Sequence, residues 1–134
     1  MAEIVDYLNH GASLITPGVV EKVLRKVPLW KAEFAQIHAP KYPHLVDQLA
    51  FLADAVEDFA EGAYKELPYY AAAQAVFALT YAHNKVDIIP DFVADLGRGD
   101  DSSVVRAVLI QNEKHFARYA ATQGRDWSKI TSRA

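Results

Sequence analysis

Fourteen residues from Tyr69 to Ala82, YYAAAQAVFALTYA, limit what this chain can fold into more than any other stretch. Pro68 opens the segment, and Gln74 and Thr80 are its only polar interruptions before His83. A helix apolar on nearly every side belongs at the centre of a domain, wrapped by its neighbours. A membrane span needs about 20 such residues, so the segment predicts a buried core helix. The alanines at 71–73 let those neighbours come close.

The rest of the chain supplies the wrapping. Residues 2–9 predict a short helix with Ile4, Val5 and Leu8 on one face. Thr16-Pro17 has the form of an N-cap followed by proline at the first helical position. Val20, Val23, Leu24 and Val27 line the helix that follows. Pro28 is expected to end or kink it, because the ring removes a donor and clashes one turn back. A continuation from Pro28 to about His38 carries Trp30 and Phe34. Pro40 and Pro43 break the chain again, and Leu45, Leu49, Leu52, Val56 and Phe59 mark an amphipathic helix over 43–63. Its outer face holds Asp47, Asp54, Glu57, Asp58 and Glu61 with no Lys or Arg, which is read first as a solvated face and second as a dock for a basic partner. Asp100, Asp101 and Ser102 are N-cap candidates for a last helix running to Thr122, with Val105, Val108, Leu109, Phe116 and Tyr119 as its stripe. Asn112 falls in the middle of that stripe. Its amide must find partners there or cost about 1–3 kcal/mol, and the neighbouring acidic segment is the expected source. Gly124 ends the helix, and 124–134 is a tail for Trp127 to pin. The whole predicts a single all-α domain over 1–134, a compact bundle of four to five helices with an ordered acidic loop before the last.

Composition narrows the class of function. Half the residues are apolar (51%) and 23% are charged, as in a globular chain. A net charge of −3 with no basic stretch argues against nucleic acid. The chain has no cysteine, which removes disulfides, thiolate metal sites and cysteine nucleophiles. The acidic start MAEIVDYLNHG is unlike a signal peptide, and a cytoplasmic protein is expected.

From Tyr81 the sequence reads YAHNKVDIIPDFVADLGRGDDSSVV, with five aspartates, Asp87, Asp91, Asp95, Asp100 and Asp101, in fifteen residues. Pro90 fixes a corner, and Gly97 and Gly99 permit backbone angles closed to other residues. Tyr81, Asp87, Ile88, Ile89, Pro90, Asp91, Phe92, Gly97, Asp100 and Asp101 resemble, in order and spacing, the signature of the YkvA-like family, a bacterial domain without an established reaction. The resemblance runs from Val76 into the last predicted helix, within a core of about 66–122. Lys85 and Ala94 stand where that family has proline, and Arg98 and Gly99 where it has more apolar residues. The resemblance implies a helical fold with an acidic loop.

Two chemistries suit these acids. As structural groups, Asp91 caps a turn, Asp100 or Asp101 caps the last helix, and Asp87 closes an Asx-turn. The loop is then a clasp between the central and final helices. Alternatively, Asp87, Asp91, Asp95, Asp100 and Asp101 hold a divalent metal, Mg²⁺ or Ca²⁺ through carboxylates alone, Mn²⁺ or Zn²⁺ with His83 as a nitrogen ligand. No EF-hand spacing, serine elbow or phosphate loop accompanies them. Tyr42, Tyr64, Tyr69 and Tyr70 gather near two helix starts, at the core edge or on a protein-binding surface. The leading expectation is a non-enzymatic interaction or regulatory module with a protein partner, cytoplasmic or peripheral to a membrane. The alternative is a metal-binding domain, extending to a metal-dependent hydrolase.

Overall fold

The computed structural model describes the backbone of residues 2–88 and 94–130, and the side chains of 3–84 and 101–130. These residues form helices and connections without a strand. Seven helices stand among them: α1 (Ala2–Ser13), α2 (Pro17–Ala35), α3 (Leu45–Ala60), α4 (Tyr69–Ile88), α5 (Ala94–Gln111), α6 (Glu113–Thr122) and α7 (Trp127–Ile130).

The apolar segment becomes α4, and it is central. Ala71, Ala72, Ala75, Val76, Ala78, Leu79 and Ala82 are all buried, and α1, α2, α3 and α5 pack around them. One hydrophobic cluster runs from Leu8 in α1 to Ile130 in α7. The approach of α1 is closest at Gly11, where a Cβ would lie 2.2 Å from Phe77 Cε1. The predicted helix 2–9 therefore continues through a glycine to Ser13, because packing on Phe77 requires the missing side chain.

Thr16 caps α2 as expected, its Oγ1 accepting from Val19 N at 3.2 Å with Pro17 at the first turn. Pro28 does not end this helix. It lies on the exposed side of α2, while Val27, Trp30 and Phe34 keep one buried face across it. Gly62, with φ +80°, turns the chain after α3.

The last helix is two helices. Asn112 stands between α5 and α6 with φ −123°, and its side chain makes no cap bond to α6. Gly124 closes α6 with φ +67°, while Arg125 N donates to Ala120 O (2.9 Å) and Gly124 N to Ala121 O (3.2 Å). The tail is pinned as expected. Trp127 meets Phe51 at 5.9 Å between ring centroids, Ile130 is buried, and Gln48 Nε2 donates to Ile130 O at 3.3 Å.

The largest correction concerns the expected loop from Lys85 to Asp101. α4 runs on to Ile88 and α5 begins at Ala94, so Asp87, Asp95, Asp100 and Asp101 are helical, with Gly97 and Gly99 inside α5. Asp100, Asp101 and Ser102 are thus interior residues and not caps. Two glycines cost a helix about 1 kcal/mol each, and packing of α5 along α4, which buries Asp101, Ser102, Val104 and Val105, outweighs that penalty. Pro90 and Asp91 lie outside the described residues.

Candidate functional site

A row of three amides crosses the bundle, and its direction is set by one backbone carbonyl. Asn112 is buried, and its Nδ2 donates to Val108 O at 2.9 Å. A carbonyl only accepts, so this edge of Asn112 must be the NH₂ group. The same Nδ2 donates to Gln74 Oε1 at 2.6 Å, which turns Gln74 so that its Nε2 donates onward to Asn9 Oδ1 at 3.1 Å. Asn9 in α1 is therefore oriented too, with its own NH₂ as the outer end of the row. The side-chain partners of Asn112, Gln74 and Val108, come from α4 and α5, not from the acids of the expected loop. Its Oδ1 is buried without a hydrogen-bond partner among the described residues.

The outer end opens on a groove of about 300 Å³ between α1 and the start of α4, lined by Asn9, Ala12, Ser13, Ile15, Tyr69, Tyr70, Ala73 and Gln74. Its two tyrosines are exposed but held. Tyr69 OH donates to Ile15 O at 2.8 Å, and its ring meets Phe59 at 6.3 Å. Tyr70 OH lies 3.0 Å from His115 Nε2 of α6. The tyrosines of α4 are thus braced from the α1–α2 connection and from α6. Of the four tyrosines singled out from sequence, Tyr69 and Tyr70 form this wall, whereas Tyr64 is buried against Tyr119.

The acid-rich region presents a different arrangement. His83 stacks on Trp30, with centroids 4.4 Å apart, and its Nδ1 lies 2.9 Å from Glu33 Oε2. This pairing ties α4 to α2. Asp87 sits one turn further along α4, while Asp95 and Asp100 lie on α5. Asp101 is fully buried in α5, and Arg106 Nε donates to Ser102 Oγ at 3.1 Å. Among the described residues no three His, Asp or Glu side chains gather at metal-binding distance.

Of the acids on α3, Asp47 is exposed as a solvated face requires, whereas Asp54, Glu57 and Asp58 are half-buried and engaged within the fold. Asp54 pairs with Lys31 (2.5 Å) and Arg125, Glu57 with Lys31, and Asp58 accepts from Tyr119 OH. These contacts lash α2, α6 and the tail to α3. Burial first, and then the Asp58 carboxylate, push the Tyr119 phenol far above the usual tyrosine range. For Lys31, partial burial is the largest single influence and pulls the ammonium down. The hydrogen bonds and charges of Asp54 and Glu57 together exceed it and hold Lys31 above its ordinary value.

Sequence reasoning missed Asn9 and Glu33, which have no periodicity or motif to mark them. Gln74 was visible as a polar interruption, but nothing in one sequence pairs it with Asn112. Comparison with family models, with curated proteins and with solved structures finds no match for the chain.

Proposed function

We propose that the chain is a non-enzymatic interaction module of the YkvA-like kind, bacterial and cytoplasmic or loosely held at a membrane surface. It takes up a segment of a protein partner in the groove between α1 and α4. The carrying observation is that Tyr69 and Tyr70 remain exposed while Ile15 O and His115 Nε2 hold their hydroxyls in place. Rings with one wet edge, fixed before binding, give contact area at little cost in ordering. A concave site with a few convergent polar groups is the usual form of a ligand site. A displayed library of short peptides, selected on the folded protein, tests this. Selected peptides lose binding in Tyr70→Ala and keep it in Asp47→Lys, which lies on exposed α3 surface. Peptides indifferent to Tyr70→Ala contradict it.

A second reading, a divalent-metal site, gains support from Glu33. A carboxylate on Nδ1 fixes the tautomer and orientation of an imidazole, as it does behind metal-bound histidines. In this reading His83 Nε2 coordinates, with Asp87, Asp91, Asp95, Asp100 and Asp101 as the oxygen donors for Mg²⁺, Mn²⁺, Ca²⁺ or Zn²⁺. A metal-dependent hydrolase is its extension. A rise in Tm with millimolar Mn²⁺ or Zn²⁺ that disappears in both His83→Gln and Asp91→Asn supports it. Unchanged melting with all four ions refutes it.

A further inference from the structure

The chemistry of the groove indicates what kind of segment it takes. Apart from the two tyrosines, no lining side chain is ionisable: Asn9, Ala12, Ser13, Ile15, Ala73 and Gln74 are all neutral. A charged group settling here gives up part of its hydration and finds no formal charge among the lining side chains to offset the loss. Two of the polar side chains that line it, Asn9 and Gln74, hold unspent donors. The relay spends Asn9 Oδ1 on Gln74, so Asn9 offers its NH₂, neither hydrogen of which meets an acceptor among the described residues. Gln74, 6% exposed, uses one hydrogen of its NH₂ on Asn9 and keeps the other. Ser13 Oγ donates to His10 O at 2.6 Å and retains its acceptor lone pairs. Nor does the direction reverse, because the Val108 carbonyl fixes it from the buried end. Each bond in such a chain polarises the next, which strengthens the last donor.

We infer that the groove recognises an uncharged stretch of a partner's chain through its carbonyl groups, with Asn9 Nδ2 and Gln74 Nε2 as the donors. The groove's volume of about 300 Å³ is at the low end of the range for ligand pockets, about 300–1,000 Å³. It admits one or two residues and not a helix. This inference rests on the interaction reading and gives it a specificity.

Three probes of similar size separate the possibilities: N-acetyl-leucine N′-methylamide, which is neutral, N-acetyl-leucine, which carries a carboxylate, and glycyl-leucine N′-methylamide, which carries an ammonium and keeps both carbonyls. Each is titrated into the ¹⁵N-labelled full chain while the side-chain NH₂ signals of Asn9 and Gln74 are followed. The neutral probe gives saturable shifts at both, and binds roughly tenfold or more tightly than either charged one, about the worth of one hydrogen bond. Asn9→Asp keeps the oxygen that accepts from Gln74 and so keeps the fold, but it removes the outer donor and weakens the neutral probe by a similar factor. Equal binding of all three probes, full affinity in Asn9→Asp, or no shift from any probe overturns the inference. A library-selected peptide titrated in the same spectra separates that failure from a failure of the interaction reading. If it shifts Tyr70 and its neighbours, the groove still binds a partner segment. If it shifts residues elsewhere, the interaction site itself is wrong.

Discussion

Gln74 Oε1 lies 2.6 Å from Asn112 Nδ2, and this contact joins the two polar residues that interrupt the apolar faces of their helices. With Nδ2 turned to Gln74 and Val108, the Oδ1 that could accept from the first turn of α6 stays without a hydrogen-bond partner among the described residues, and α6 starts without a side-chain cap.

Because each amide satisfies the other, removing one partner is expected to cost more than removing both. Gln74→Leu leaves Asn112 with a hydrogen short of an acceptor, and Asn112→Leu strands Gln74 Oε1. Each single change is predicted to cost about 1–3 kcal/mol, with the double variant well below the sum. Urea unfolding of the four proteins measures this. Additive losses mean that the two side chains do not depend on each other.

Gly11 has a comparable pairing with Phe77. A methyl group placed 2.2 Å from the ring cannot be accommodated without a shift, so Gly11→Ala is predicted to destabilise by about 1–3 kcal/mol despite alanine's better helix propensity. Adding Phe77→Leu, which withdraws the ring, recovers part of the loss. A stabilised Gly11→Ala protein excludes this packing of α1.

The acids of α3 separate into two kinds. Asp54 holds Lys31 and Arg125 together, whereas Asp47 is exposed. Asp54→Lys is therefore expected to lower Tm by several degrees, with a loss that shrinks in high salt, and Asp47→Lys to leave it nearly unchanged. Equal effects of the two reversals contradict the bridging role of Asp54.

Alkaline pH acts on the same network. Tyr119 and Lys31 both have folded values raised above their unfolded ones of about 10 and 10.4. A raised folded value contributes stability that is complete below the unfolded value and is lost as pH climbs toward the folded one. Tm is thus predicted to hold up to about pH 9 and fall beyond about pH 10. Tyr119→Phe, which has no phenol to ionise, falls less steeply over that interval. Parallel slopes in the two proteins refute the assignment to Tyr119.

The architecture was legible where periodicity carries it. The all-helical class, the central place of Tyr69–Ala82, the Thr16 cap and the turn at Gly124 follow from residue types whose effects are local. The errors lie where tertiary packing overrides a local signal. Glycines at 11, 97 and 99 are helical because neighbouring helices reward it, and Pro28 is tolerated because it faces solvent. The groove was half legible: Tyr69 and Tyr70 stood out as amphipathic rings, but Asn9 acquires meaning only from Gln74, sixty-five residues away. The α3 acids misled for the same reason, since Lys31, Tyr119 and Arg125 reach them from other helices.

Hydrogen exchange of the side-chain NH₂ groups tests the relay most directly. The account predicts that Asn112 Nδ2 exchanges slowly, that Asn9 Nδ2 exchanges at the rate of an exposed amide, and that Asn112 loses protection in Gln74→Leu. Rapid exchange at Asn112, or protection of Asn9 with exposure of Asn112, would contradict it.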